Sequence, residues 1–318
     1  MPPTIVLVHG AFAESASWDR VIPPLEADGH DVIAAANPLR GLAADAQAVS
    51  DLVRTIDGPV VLVGHSYGGA VITNVAADAG QITGLVYVAA FAPEPGESAF
   101  TLAQRYPGST LGDALRPVPR SNGTTDLYIA TELFHDQFAA DVPAPEAARM
   151  AATQRPATLE ALQEPSGEHP LWKELPSWFL IAGQDRNIPA ALQRFMADRA
   201  GARRTVELPS ASHAAAVSHS DATARLILES AAPLHAAARP SGTTSAMHEI
   251  HVTVVSPEEA AYGTAEFWSG GRLIGFTRLE DGDLLLRIEP GHDGAAVVVG
   301  AHSLADAIAE ANRLLAVY

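Results

Sequence analysis

Six short apolar runs recur along the first two thirds of the chain, and each stays apolar at nearly every position instead of alternating with polar residues. Strands buried on both faces of a parallel sheet have this pattern. Between most runs lies a longer segment whose apolar residues have helical spacing. The alternation predicts an α/β fold with a doubly wound, mostly parallel sheet. The predicted strands are 4–8, 31–35, 60–63, 85–89, 178–182 and 205–208, and the predicted helices are 18–27, 45–55, 67–79, 190–200 and 221–230.

One long interval breaks this alternation. Between Phe91 and Ser177 the sequence shows no convincing strand, only short helical patches interrupted by proline, such as 126–138 and 145–153. A structureless loop of that length is implausible in a compact domain. We therefore predict a helical cap over one end of the sheet, at about 92–176.

The composition changes again at Pro233. The stretch 233–247 is rich in Ala, Pro, Ser, Thr and Gly, which predicts a linker between a domain at 1–232 and a small α+β module at 248–318. Two hairpin turns, at 269–271 and 281–282, separate strands predicted at 250–255, 262–268, 272–279 and 284–288, and a helix is predicted at 303–316. Exposed hairpins suit pairing with another chain, so homo-oligomerisation through this module is one hypothesis. An appendage with no catalytic part is the other.

Charge and cysteine content narrow the classes of function. The 318 residues include 37 acidic and 20 basic side chains, a net charge of −17, which disfavours nucleic acid and anionic membrane surfaces as partners. With no cysteine, a thiolate nucleophile and a cysteine-based metal site are excluded. The opening Met1-Pro2-Pro3-Thr4 lacks basic residues, and no apolar stretch has the length of a membrane span. The sequence therefore predicts a cytoplasmic protein.

A sequence of the form G-x-S-x-G follows the third predicted strand. Gly64-His65-Ser66-Tyr67-Gly68 lies between that strand and a predicted helix, the context in which this motif forms a sharp turn that exposes the serine. A structural glycine-rich turn is the alternative interpretation. The strand–turn–helix context favours Ser66 as a nucleophile.

A serine nucleophile needs a general base, and the base needs an acid that orients it. His213 follows the last predicted strand and Asp185 follows the strand before it, so the order Ser66, Asp185, His213 fits a catalytic triad. His219 and Glu94 are the rival base and acid, and the spacing favours His213 and Asp185. The other histidines of the domain lack such spacing and are interpreted as structural or exposed: His9, His30, His65, His135 and His169.

Acyl transfer also needs hydrogen-bond donors for the oxyanion. We expect one to be the backbone N–H of Tyr67, which follows the nucleophile. The other should come from the loop after the first strand, where Ala11 is the first choice and Phe12 the second. The triad supplies the chemistry without a metal or cofactor, and no ligand-spaced motif indicates either.

Several segments together resemble the α/β-hydrolase superfamily over residues about 3–232, and more narrowly small bacterial serine esterases related to the plant methyl-esterase and hydroxynitrile-lyase group. These segments are VLVHGAF at 6–12, NPLRGLAAD at 37–45, VVLVGHSYGG at 60–69, YVAAFAPEPGES at 87–98, DRNIPAALQRFMADRAGA at 185–202 and SHAAAVSH at 212–219.

The resemblance implies the same triad, the same oxyanion donors and hydrolysis of a small-molecule carboxylic ester or lactone through an acyl-enzyme. The lyase branch typically has threonine after the first-strand histidine and lysine after the catalytic histidine, whereas this chain has Gly10 and Ala214. Lyase or cofactor-free oxidative chemistry, and a non-catalytic binding protein, remain alternatives. For the substrate pocket we expect Phe12 and cap aromatics, chiefly Phe134 and Trp172.

The division at the linker generates a first testable prediction. A chain that ends at residue 240 should keep the rate of ester hydrolysis of the full-length protein, because every candidate catalytic residue precedes the linker. Steady-state hydrolysis of a p-nitrophenyl ester by both chains measures this. Loss of activity in a shortened chain with an unchanged circular dichroism spectrum would contradict the prediction.

Overall fold

A computed structural model of the chain describes residues 2–232, 250–253, 266–269, 272–280 and 283–288. The chain divides into two compact units, Met1–Leu234 and His235–Tyr318. The described strands of the first unit are, in chain order, β1 (Thr4–Val8), β2 (Val32–Ala35), β3 (Pro59–His65), β4 (Gln81–Val88), β5 (Leu115–Pro119), β6 (Thr125–Ile129), β7 (Ala157–Thr158), β8 (Ser177–Ala182) and β9 (Arg204–Leu208).

Six of these strands form one sheet in the order β2-β1-β3-β4-β8-β9, and every neighbouring pair is parallel. Each coincides with one of the six apolar runs, so the prediction of a doubly wound parallel sheet is confirmed. Successive side chains of a strand point to opposite faces. In β1, Ile5 and Leu7 belong to one hydrophobic core and Val6 and Val8 to the other. Apolar cores on both faces explain why the runs do not alternate.

Helices cover the sheet, and none in the described part combines the length and apolarity that crossing a bilayer requires. Helix α11 packs on the strands of one face, and α3 packs on β3 and β1 next to α2. The helices are α1 (Ile22–Ala27), α2 (Leu42–Val53), α3 (Tyr67–Thr73), α4 (Ala99–Ala103), α5 (Leu111–Ala114), α6 (Thr131–Phe138), α7 (Ala144–Thr153), α8 (Leu159–Gln163), α9 (Ala190–Arg199), α10 (Ala215–Ser218) and α11 (Ser220–Ala231).

The insertion between β4 and β8 contains helices α4–α8, as expected, and also a three-stranded antiparallel sheet in the order β5-β6-β7. The prediction that this interval lacks strands is therefore wrong, and residues 126–129 belong to β6 and not to a helix. Strand β5 contains Pro117 and Pro119 and is largely exposed, so it carries no apolar run. Proline is tolerated there because β5 is an edge strand.

In the second unit the structure describes four strands: β10 (Ile250–Thr253), β11 (Glu266–Ser269), β12 (Arg272–Glu280) and β13 (Asp283–Ile288). They pair antiparallel in chain order. Ser269 pairs with Arg272 and Glu280 with Asp283, as two-residue hairpin connections require. The linker at 233–247 and the helix at 303–316 lie outside the described residues, and the role of this module stays a prediction.

The contact between α3 and β1 generates a second prediction. A Cβ on Gly68 would lie 2.3 Å from the carbonyl oxygen of Val8, a backbone atom that cannot move aside cheaply. Gly68→Ala should lower the free energy of unfolding by about 1–3 kcal/mol. The control Gly112→Ala, where a Cβ meets nothing within 4 Å, should change it by less than about 1 kcal/mol. Urea unfolding of both variants measures the difference, and equal effects would contradict the prediction.

Candidate active site

Ser66 occupies a sharp turn between β3 and α3. Its backbone has φ 54° and ψ −124°, a conformation that residues with a side chain rarely adopt and that costs about 1–3 kcal/mol. A Cβ on Gly64 would lie 2.5 Å from the carbonyl oxygen of Gly68, and one on Gly10 would lie 2.5 Å from the Cβ of Ser66. The close contacts at Gly10, Gly64 and Gly68 therefore require glycine at each of these positions. The G-x-S-x-G motif predicts the last two.

Asp185 lies in the loop after β8, and His213 lies in the loop after β9. These two strands are parallel neighbours, so both loops begin at the same end of the sheet. Nδ1 of His213 is 2.7 Å from Oδ2 of Asp185. The other carboxylate oxygen of Asp185 accepts hydrogen bonds from the amides of Asn187 (2.7 Å) and Ile188 (2.9 Å), and Oδ2 also accepts one from Nε2 of Gln193 (2.9 Å). Both side chains are almost fully buried. This carboxylate is thus held in one orientation toward the imidazole.

Ser66 and His213 line the same cavity, so the structure brings all three predicted triad residues to one place. Within the described residues, Oγ of Ser66 has no hydrogen-bond partner. Such bonds in ligand-free active sites are often long and shorten when substrate binds.

The rival base and acid have other partners. Nε2 of His219 is 3.3 Å from a carboxylate oxygen of Asp141, and Glu94 forms an ion pair with Lys173. Neither lines the cavity that contains Ser66. The positions of these side chains favour His213 and Asp185, as the sequence spacing does.

The two oxyanion candidates on the first loop differ in their hydrogen bonds. The amide of Phe12 donates to the carbonyl of Arg155 at 3.0 Å, whereas no backbone acceptor is found in the described part of the chain for the amide of Ala11. Tyr67 is the first residue of α3, so its N–H has no acceptor within the helix. Both Ala11 and Tyr67 line the cavity. These contacts favour Ala11 and Tyr67 over Phe12 as donors.

The cavity has a volume of about 420 Å³, and no charged side chain of the described residues lines it. Phe12 lies in its wall, as expected, but Phe134 and Trp172 do not. Phe134 stacks on Phe138 in the cap core, with ring centroids 5.0 Å apart, and Nε1 of Trp172 donates to the carbonyl of Pro93. The wall contains residues that the sequence did not single out, although helical spacing could have indicated some of them: Phe91, Phe100, Leu111, Leu115, Leu127, Leu159 and Leu162.

Two further histidines are buried beside the candidate triad. Burial, with a smaller contribution from the neighbouring His213, lowers the pKa of His65 to about 3. Nε2 of His65 is 2.9 Å from the carbonyl oxygen of His213 and donates to it. Burial likewise lowers the pKa of His9 to about 4, and Nε2 of His9 accepts the amide of Asn37 at 3.1 Å. Both imidazoles are neutral at pH 7, which agrees with their interpretation as structural residues.

The phenol of Tyr67 donates to the buried carboxylate of Asp45 at 2.9 Å. Burial raises the pKa of Asp45, and the hydrogen bonds from the amide of Arg40 and from Tyr67 oppose that shift. Burial also raises the pKa of the phenol, in the same direction as the charge of Asp45. The pair connects α2 to the first turn of α3 and so fixes Tyr67, which lines the cavity.

Fold and site together are those of an α/β hydrolase. A sequence model described as the alpha/beta hydrolase family matches residues 5–226, and the chain belongs to that family. Its relatives include the pyrethroid hydrolase of Sphingobium wenxiniae, which is 29% identical over 232 residues, 66% of this chain and 81% of that protein. Salicylic acid-binding protein 2 of Nicotiana tabacum is 27% identical over 66% of this chain and 90% of that protein.

A solved structure of a pyrethroid hydrolase from Sphingobium faniae is also similar, with a TM-score of 0.59 and 26% identity over 73% of this chain and 98% of that one. The predicted superfamily, the fold and the class of carboxylic-ester hydrolase are confirmed.

The two neutral histidines generate a third prediction. Each binds a proton more weakly in the folded chain than in the unfolded chain, where the pKa is near 6.5, so stability is lost as the pH falls from 6.5 toward about 4 for His9 and about 3 for His65. Between pH 7 and pH 5, the protonation of each of these histidines in the unfolded chain should lower the free energy of unfolding by about 2 kcal/mol. His9→Gln should reduce that pH-dependent loss by about 2 kcal/mol, as measured by urea unfolding at both pH values.

His169, an exposed histidine, provides the control. His169→Gln should leave the loss between pH 7 and pH 5 unchanged. A His9→Gln variant with the full wild-type loss would show that His9 is not the source.

Proposed function

We propose that this protein hydrolyses small-molecule carboxylic esters through an acyl-enzyme on Ser66, with His213 as general base and Asp185 as its orienting acid. The observation that carries the proposal is the buried pair of His213 and Asp185, 2.7 Å apart, next to a serine in a strained turn on the same cavity. A hydroxyl is a weak nucleophile at neutral pH unless such a base accepts its proton.

The reaction proceeds in two halves. Oγ of Ser66 attacks the ester carbonyl carbon while its proton passes to Nε2 of His213, and the resulting imidazolium gives this proton to the departing alcohol oxygen. Water then attacks the acyl-enzyme, His213 accepts a proton from it, and the serine leaves with that proton restored. Asp185 keeps Nδ1–H of His213 directed away from the serine, which leaves Nε2 free to act as base.

The oxyanion of each tetrahedral intermediate accepts hydrogen bonds from the amides of Ala11 and Tyr67. The Tyr67 amide lies at the N-terminus of α3, where the helix dipole favours negative charge. Loss of one such donor typically costs on the order of 10²–10³ in kcat. The hydrogen bond from Phe12 to Arg155 supports the assignment of Ala11, because it leaves the Phe12 amide without a free proton.

The cavity supports neutral, largely apolar substrates. Half of the residues in its wall are leucine, phenylalanine or alanine, and no charged side chain of the described residues is available to pair with an ionised substrate group. Burial of a charge without a partner is costly. The relatives named pyrethroid hydrolase and methylesterase agree with esters as substrates, and open-chain esters and lactones both remain within this proposal.

The geometry at Gly10 argues against the lyase alternative. A Cβ at this position would lie 2.5 Å from the Cβ of Ser66, so a threonine there requires a different turn. The position after His213 is the buried Ala214, which supplies no lysine ammonium. This chain thus departs from the lyase pattern at both positions, which favours ester hydrolysis.

A fluorophosphonate probe tests the proposal. The intact protein should gain the mass of one probe, whereas Ser66→Ala should gain none and should lose p-nitrophenyl ester hydrolysis by at least about 10³-fold. Electrospray mass spectrometry and steady-state kinetics measure the two outcomes. His219→Gln is the matched control for His213→Gln, since only the second should abolish labelling. A folded wild type that remains unlabelled would refute the proposal.

A further inference from the structure

The turn that joins α6 to α7 in the cap contacts the backbone on both sides of His213. Asp141 accepts the amide of Ser212 at 3.0 Å and also accepts the Ser212 hydroxyl through its other carboxylate oxygen. On the far side of the histidine, the amide of Ala214 donates to the carbonyl of Phe138 at 3.0 Å. The loop that carries the general base is therefore attached to the cap immediately before and immediately after His213.

The imidazole of His213 is also enclosed by rings. Phe138, the last residue of α6, meets it edge to face, with ring centroids 4.8 Å apart and planes at 80°. His65 contacts it at a centroid distance of 4.7 Å. A displacement of the Phe138–Asp141 turn would therefore move both the backbone and the packing of the base.

Asp141 is suited to hold this loop because its carboxylate is ionised at neutral pH. Burial opposes ionisation, but the hydrogen bonds from Ser212, together with one from Ser218, keep the pKa of Asp141 below its usual range. Hydrogen bonds to a charged acceptor are roughly twice as strong as neutral ones. Nε2 of His219 lies 3.3 Å from the same carboxylate.

The preceding helix contacts the loop of the acid. Nε2 of Gln137 donates to the carbonyl of Arg186 at 2.9 Å and to Oδ1 of Asn187 at 2.7 Å. The amide of Asn187 in turn donates to Asp185. One short cap segment, residues 137–141, thus contacts the loops of both the base and the acid.

We propose that Asp141 is a positioning residue that holds the His213 loop in place relative to Ser66. Cap segment 137–141 then helps to position the general base in addition to forming part of the cap. This inference rests on the proposed function, since it requires His213 to be the base. Asp141 acts through Ser212 and does not line the cavity wall. Its removal should therefore impair proton transfer and leave substrate binding intact.

Asp141→Ala tests this through separate measurements of kcat and KM. A misplaced base should lower kcat of p-nitrophenyl ester hydrolysis by ~10- to 100-fold, lower the rate of fluorophosphonate labelling by the same factor, and leave KM within about twofold of wild type. Asp141→Asn keeps one acceptor oxygen for Ser212 and should recover a substantial part of kcat. Because it is isosteric, it is the variant to interpret if Asp141→Ala does not fold.

Glu146→Ala is the matched control. Glu146 is another cap carboxylate and pairs with Arg20 of the core at 2.8 Å, but it does not contact the His213 loop. It should leave kcat and the labelling rate unchanged. Wild-type kcat in Asp141→Ala, or equal losses of kcat in the Asp141 and Glu146 variants, would overturn the positioning role.

The two proposals fail in different ways. If Ser66→Ala keeps its activity, the proposed mechanism is wrong whatever Asp141 does. If Ser66→Ala is inactive and wild type is labelled, but Asp141→Ala retains wild-type kcat, only the positioning role is wrong.

Discussion

The close approach of three backbone segments around Ser66 is the constraint on which the site depends. Strand β1, strand β3 and the first turn of α3 come so near one another that a Cβ on Gly10, Gly64 or Gly68 would lie 2.3–2.5 Å from a neighbouring atom. This packing holds Ser66 at positive φ, a strain that only a surrounding rigid structure can maintain. Ala11, Ser66 and Tyr67, which lie in these segments, line the same cavity.

Near this turn, the buried carboxylate of Asp185 contacts the imidazole of His213. Asp185 accepts hydrogen bonds from two amides and from Gln193 in addition to His213, which stabilises a negative charge away from water. His65, the residue before the nucleophile, is kept neutral by burial and donates to the backbone of His213. His65 thus places no positive charge next to His213 at neutral pH.

The cap contributes to this arrangement in two ways. Its leucines and aromatic residues form much of the apolar cavity wall. Its turn at Phe138–Asp141 contacts the loop of His213, and Gln137 contacts the loop of Asp185. Because both loops leave the same edge of the sheet, a single cap segment contacts both of them, and the proposed positioning role of Asp141 rests on these contacts.

The sequence alone determined the parallel sheet, the serine turn and the order of the candidate triad, because each depends on local patterns: apolar runs, glycine spacing and residues directly after strands. The Phe12–Arg155 hydrogen bond that supports the choice of Ala11, the composition of the cavity wall and the contacts of Asp141 with the His213 loop are visible only in the tertiary structure. Phe134 and Trp172 were expected at the cavity, yet Phe134 packs on Phe138 in the cap and Trp172 bonds to the carbonyl of Pro93, since a lone aromatic residue carries no signal of which side it faces. Strand β5 was missed because an exposed, proline-containing edge strand has no apolar run, and only its pairing with β6 defines it.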